Sequence, residues 1–368
     1  MVRIYDVGSL PFEGDYSELA EGARAYPGEA PSSKFFEKAV LRGLKSKLEA
    51  GVDVPNFPQY RDMNEMFLEM ISGVEKIESR YYVTSERLAP RGDGVIPEVA
   101  VIRRNAEALS GEFGEVLLKV CVTGPYTLSH LFGYRDPSLL ASLGEVLAEI
   151  ASSNVFEERG IRVGVLSLDE PVFGLVDDPL KDRGSEGREA LLKAWEKIFR
   201  AAASRGADTV LHLHSTADTL FLEVESLRVI ESHVDDPLYS STTMKKLLEE
   251  ADKFVKASVC KTEFDSLIAE KLERELGRRP SGEEIANAWR RIKRGIDDPA
   301  AYLESEEVMA RRLEKVLELY GDRVVYAGPE CGLGGFPTYE AAIECLRRIS
   351  SAVRRVLAER AIGSLKKP

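Results

Sequence analysis

Thr209-Val210-Leu211-His212-Leu213-His214-Ser215-Thr216 is the stretch that decides how this chain is read. Val210, Leu211 and Leu213 form an apolar run typical of a buried strand, and residues two apart on a strand share a face. His212 and His214 therefore point the same way, at or near the strand's carboxyl end. His233 follows in Val229-Ile230-Glu231-Ser232-His233, so three of the chain's four histidines fall on two successive strand ends.

The same kind of run recurs along the chain. Strands are expected at 2–7, 52–55, 116–122, 163–168, 210–214, 229–233, 254–259 and 324–327. Helical periodicity lies between them, at about 35–50, 63–71, 97–109, 138–158, 189–204, near Leu220, 244–251, 264–295, 304–320 and 339–359. Residues 12–34, rich in Gly, Pro and Ser, read as an irregular excursion, and 76–95 as polar chain with no clear period. Eight strands, each followed by helical material, with no break in composition, predict one α/β domain over 1–368, a closed (β/α)8 TIM barrel. The unusual residues sit at strand exits (Ser9, Thr123, Asp169, His214, His233, Cys331), and in this fold the exits form the catalytic face. Neither a G-x-G-x-x-G fingerprint nor a G-x-x-x-x-G-K-[ST] phosphate loop is present.

A formal charge of −12 argues against a nucleic-acid partner, and no apolar run approaches the roughly 20 residues that span a bilayer. With no signal-peptide core at its amino terminus, the chain is expected to be cytoplasmic. Its four cysteines form no C-x-x-C pair, which excludes a zinc ribbon or thioredoxin-type motif. A single glutamine and five asparagines among abundant Glu and Arg lean towards a thermophile.

Zinc takes neutral imidazole, thiolate and carboxylate, and a catalytic site keeps one position open. His214, Cys331 and either Glu231 or His233 could supply three protein ligands. Glu231 and His233 share a strand face, so one can ligate while the other supports; chemistry slightly favours Glu231. Asp169-Glu170-Pro171 places two carboxylates at the end of an apolar strand, either as an anion for a substrate ammonium or as a cap for the next segment. The mixed-charge run 274–294 reads as a solvated helix face, and Phe35-Phe36 and Tyr81-Tyr82 as packing residues.

Together these motifs resemble the catalytic barrel of the cobalamin-independent methionine synthase (MetE) family, particularly its short archaeal-type forms. Gly8-Ser9-Leu10-Pro11 resembles the family's G-S-F-P opening, and Pro58-Gln59-Tyr60-Arg61-Asp62-Met63 its second-strand exit. Gly124-Pro125-Tyr126-Thr127-Leu128 resembles G-P-x-T-x, Asp169-Glu170-Pro171 matches D-E-P, and Gly328-Pro329-Glu330-Cys331-Gly332-Leu333 resembles N-P-D-C-G-L. The resemblance implies an S-methyltransferase that uses zinc to pass a methyl group to the thiol of homocysteine, forming methionine. It implies zinc on His214, Cys331 and Glu231 or His233, the amino acid's carboxylate on Ser9 and its ammonium on Asp169, with Glu170 and Gln59 beside them. The second residue of the family's H-x-C zinc motif falls on Thr216, a departure that calls for fewer or different ligands, with His212 one source. Full-length members carry an additional amino-terminal barrel for folate, without counterpart in these residues. The resemblance implies methyltetrahydrofolate as donor, and the lack of that barrel points instead to a methylated corrinoid protein or another carrier. Two rival readings are a decarboxylase resembling uroporphyrinogen decarboxylase, which needs arginines at the strand exits, and a metal-free carrier-docking homologue, which Thr216 favours.

Overall fold

The computed structural model describes residues 2–365. Seven parallel strands run in chain order around a barrel: β1 (Arg3–Ile4), β2 (Val116–Thr123), β3 (Ile161–Glu170), β4 (Asp208–Leu213), β5 (Val229–Glu231), β6 (Phe254–Cys260) and β7 (Val324–Pro329). Each pairs with the next from β2 to β7, and β7 pairs with β1. The eighth place is filled by extended chain at 54–56, which bridges β1 through Tyr5 and Val54, and β2 through Asn56 and Lys119. Val54 N donates to Ile4 O at 2.9 Å and Lys119 N to Pro55 O at 2.9 Å, which closes the ring. The (β/α)8 architecture expected from the sequence is the one the chain adopts.

Alternation along each strand divides the barrel interior into layers. Tyr5, Val54, Val165, Val210, Val229 and Tyr326 pack together as an apolar floor. Two residues further along each strand the interior turns polar. Val165 leads to Ser167 and Asp169, Val210 to His212 and His214, and Val229 to Glu231 and His233. The polar layer rests on the Tyr5 ring, with Lys119 Nζ 5.0 Å and Lys256 Nζ 5.6 Å from its centroid. This packed layer seals one end, so the chemistry has to happen at the other.

The surrounding helices differ from the sequence reading in several places. The irregular excursion contains a helix, Tyr16–Ala25, capped by Asp15 and packed on Pro31–Glu49. Gly22 allows that close approach, since a Cβ there would lie 2.1 Å from Ser32 O. Residues without clear period form two small antiparallel pairs, Val74–Ile77 with Arg80–Val83 and Ile71–Ser72 with Ala89–Pro90. The expected helix at 63–71 shrinks to Glu65–Leu68, and that near Leu220 to a 3-10 turn. The long helix at 264–295 is two helices, Phe264–Leu276 and Gly282–Lys293. Gly277 ends the first in the left-handed conformation, and a capping box of Ser281 and Glu284 starts the second. Among the described residues no helix is long and apolar enough to cross a membrane.

Candidate functional site

Strand β4 ends at Leu213 with His212 on its inner face, and His214 continues that face at the rim. On the neighbouring strand Glu231 lies opposite His212, and His233 follows just beyond the end of β5. Cys331 comes two residues after Pro329 closes β7. These exits converge. The ligating atoms of His212, His214, His233 and Cys331 all lie within 4.8 Å of one another. Cys331 Sγ is 3.6 Å from His214 Nε2, and the His214 and His233 ring centroids are 4.1 Å apart.

Buried histidine nitrogens normally find a partner, yet His233 Nε2 makes no hydrogen bond, while His212 Nδ1 faces Glu231. Burial pushes the Cys331 thiol up, but the three imidazoles outweigh it and hold the group well below its ordinary range. Burial likewise pushes His212 down, and the charges of Glu231 and Cys331 reverse that, lifting it to about 10. A thiolate ringed by imidazoles is a donor set that could hold a metal ion with a taste for nitrogen and sulfur.

Glu231 is not in this group. It is fully buried, with Lys256 Nζ 2.8 Å from Oε2 and His212 Nδ1 3.3 Å from Oε1. Burial pushes its carboxyl up, but those two cations hold it below the usual carboxylate range. The slight preference for Glu231 over His233 as ligand therefore meets the opposite arrangement, with His233 beside the sulfur and Glu231 behind His212. Thr216 also faces away: its N–H donates to Asp236 Oδ2 at 2.9 Å and its hydroxyl to Oδ1. Beyond Leu213 the chain leaves the strand, so the alternation stops before Thr216. The two-residue spacing that does face the cluster is that of His212 and His214.

The remaining expected residues divide. Asp169 lies on the inner face opposite His212, accepting a hydrogen bond from Ser167 Oγ at 2.7 Å, and burial raises its carboxyl despite the opposing pull of Lys119 and His212. Ser9 meets the Cys331 loop directly: its Oγ accepts from Gly334 N at 3.1 Å, and a Cβ on Gly332 would lie 2.0 Å from it. Gln59 bridges to Ser9 and donates its amide to Met66 Sδ at 3.3 Å. Glu170 points elsewhere. It accepts from Tyr126 N at 3.0 Å, Thr127 N at 2.7 Å and Trp195 Nε1 at 2.9 Å, behind the strand end, and burial pushes it up to about 7 against those donors. That is a capping role for the turn after β2. Glu170→Gln leaves too few acceptors for three donors, so it should lower unfolding free energy by about 1–3 kcal/mol in urea titration with zinc content unchanged; a loss of zinc at full stability would place it in the site instead.

Lys119 and Lys256 were not anticipated. Each interrupts an apolar strand, at Leu118-Lys119-Val120 and Val255-Lys256-Ala257, and a lysine on a strand inside a barrel calls for a buried acceptor. Lys119 donates to Val7 O at 3.0 Å and Lys256 to Ser258 Oγ at 3.1 Å and to Pro329 O.

The chain matches no protein-family profile. Among curated proteins it is similar to the methionine synthase of Sulfolobus acidocaldarius, with 22% identity over 310 residues that cover 82% of this chain and 76% of that protein. Among solved structures it is similar to a B12-independent methionine synthase from Shewanella sp. W3-18-1 in complex with selenomethionine. That match has a TM-score of 0.63 at 16% identity, over 98% of this chain and 99% of the other. A putative vitamin-B12-independent methionine synthase from Listeria monocytogenes gives 0.59 at 16% identity, over 97% and 99%. The chain folds as a (β/α)8 barrel like those of the B12-independent methionine synthases and is similar in sequence to the Sulfolobus protein.

Proposed function

We propose that this protein is a zinc-dependent methyltransferase that methylates the thiol of homocysteine, giving methionine. The observation that carries the reading is the convergence of His212, His214, His233 and Cys331 to within 4.8 Å at the open end of the barrel. The orphaned Nε2 of His233 and the depressed Cys331 thiol fit an ion there. A free thiol with a pKa near 8.5 is mostly protonated at neutral pH, and only its thiolate attacks well. His212, His214, His233 and Cys331 would hold zinc, which would supply that activation by lowering the pKa of a bound thiol.

The chain's own residues account for the rest of the amino acid. Asp169, on the inner face beside His212, offers a carboxylate to the substrate ammonium. Ser9 already accepts a hydrogen bond from Gly334 N, which leaves its hydroxyl proton for the substrate carboxylate, with Gln59 alongside. Thr216, which favoured a metal-free homologue, loses that force once His212 and His214 occupy the paired positions. The methyl donor is methyltetrahydrofolate or a methylated corrinoid protein.

The test is to supply zinc-loaded protein with homocysteine and each donor in turn and to measure methionine. Production from either supports the reading, and none from both removes it. Asp169→Asn should weaken homocysteine binding about 10- to 100-fold, the range for a lost charged hydrogen bond, while leaving zinc in place. Calorimetry that finds unchanged affinity would take Asp169 out of the substrate site.

A further inference from the structure

We propose that Glu231 is a positioning residue and not a metal ligand: Lys256 retains one carboxylate oxygen, the other receives His212 Nδ1–H, and the ion is left to three imidazoles and one thiolate. This rests on the reading that the group at the barrel mouth binds zinc, and goes beyond it by fixing the ligand set and what supports it.

The argument starts from Lys256, fully buried on the inner face of β6. Its ammonium is held by more than Glu231. It donates to Ser258 Oγ at 3.1 Å and to the carbonyl of Pro329, two residues before Cys331. Ser258 Oγ in turn donates to Ser232 O at 2.6 Å, on the chain between Glu231 and His233. The lysine is thereby fixed to the two exits that carry His233 and Cys331. If Glu231 turned to an ion, it would leave the buried ammonium of Lys256 without its paired carboxylate, an expensive state.

What Glu231 does in place is set by distance. Its Oε1 lies 3.3 Å from His212 Nδ1, so the carboxylate selects the tautomer with the proton on Nδ1 and leaves Nε2 for the ion. A carboxylate behind a ligating imidazole fixes the ring and makes it a better donor. His233 then has the place beside the sulfur, with its Nε2 buried and unpartnered. The charge changes with the ligands. A divalent ion with one thiolate and three neutral imidazoles keeps a net positive charge, whereas a carboxylate in place of one imidazole would cancel it. Such a centre favours an anionic thiolate as its next partner, which would enter by expansion to five ligands or in exchange for one imidazole.

Zinc affinity by chelator competition, and the absorption spectrum of the cobalt(II)-substituted protein, test this on four proteins. These are the parent, Glu231→Gln, Glu231→Gln with Lys256→Met, and His233→Ala. The double variant removes both charges of the Glu231–Lys256 pair, so it guards against a single variant that fails to fold. Glu231→Gln and the double variant should each keep one zinc per chain, bound about 10- to 100-fold more weakly, the usual loss for a partner behind a ligand. Their thiolate-to-cobalt charge-transfer and ligand-field bands should stay where the parent's are. His233→Ala should lose more affinity than either and shift the ligand-field bands. Abolished tight binding with altered bands in both Glu231 variants, or parent-like affinity in His233→Ala, overturns the assignment of Glu231 while leaving a zinc enzyme. A parent protein that takes up no zinc overturns the functional reading itself.

Discussion

Cys331→Ser should strip zinc and methyl transfer from the protein together. Cys331 Sγ is the one thiolate in the group of four, set among three imidazoles that hold it well below its ordinary range. A serine hydroxyl in its place stays protonated at neutral pH and is a poor zinc ligand, so the ion would be left with imidazoles alone. The expected fall in zinc affinity exceeds the roughly 10- to 100-fold that follows from losing a supporting hydrogen bond. Stability should change little, because Cys331 sits on a rim loop outside the strands. Metal analysis with chelator competition, run beside a methionine assay, reads both effects. A Cys331→Ser protein that is zinc-replete and fully active would contradict the role given to the sulfur.

Lys47→Met should produce the largest loss of stability, at a place far from the ion. Lys47 comes from the helix Pro31–Glu49 with its side chain fully buried. It reaches Asp6 Oδ2 at 2.6 Å, Gly8 O at 2.7 Å and Asn56 O at 3.1 Å. Asp6 Oδ1 accepts Asn56 N–H at 2.8 Å, so the pair stitches the exit of β1 to the 54–56 segment. This is the seam where the barrel closes through isolated bridges. Burial pushes the ammonium down in pKa and Asp6 pulls it back up, the signature of a pair whose members depend on each other. Removing the cation leaves Asp6 buried and uncompensated, at about 3–5 kcal/mol. Urea unfolding should register that loss, and Lys47→Met with Asp6→Asn should recover much of it. Ser9 lies three residues beyond Asp6, so homocysteine binding should weaken in the single variant as well. A change below about 1 kcal/mol, the scale of a surface pair, would show that the seam is held by something else.

The barrel was legible because its strands are short apolar runs ending in residues that apolar runs rarely end in. His214, His233, Asp169 and Cys331 flag the exits, and alternation then fixes which neighbours share the inner face. Elements outside the barrel were harder to read, for a physical reason. The helix Tyr16–Ala25 holds against Pro31–Glu49 through a few small or apolar residues, Leu19, Gly22 and Ala23, too few to impose a periodic signal. The hairpin Val74–Ile77 and Arg80–Val83 is largely exposed, so its strands lack the alternation that burial imposes.

In the site, counting outwards from His214 reached Thr216, past the point where the strand ends, and Thr216 turns to Asp236 while His212 and His214 face the cluster. The choice between Glu231 and His233 turned on Lys256, which lies on the next strand. Its presence in Val255-Lys256-Ala257 was a visible anomaly, since a lysine in a buried strand demands a nearby anion. Pairing it with Glu231 needs the neighbouring strands β5 and β6 and their register, Ile230 opposite Val255, which sequence periodicity does not contain.

X-ray absorption at the zinc edge tests the central claim most directly, on the purified protein before and after homocysteine is added. The account predicts one zinc per chain, with one sulfur at about 2.3 Å and nitrogen at about 2.0–2.1 Å, and a second sulfur at similar distance once homocysteine binds. Zinc without sulfur in its coordination shell, or a shell that homocysteine leaves unchanged, would contradict it.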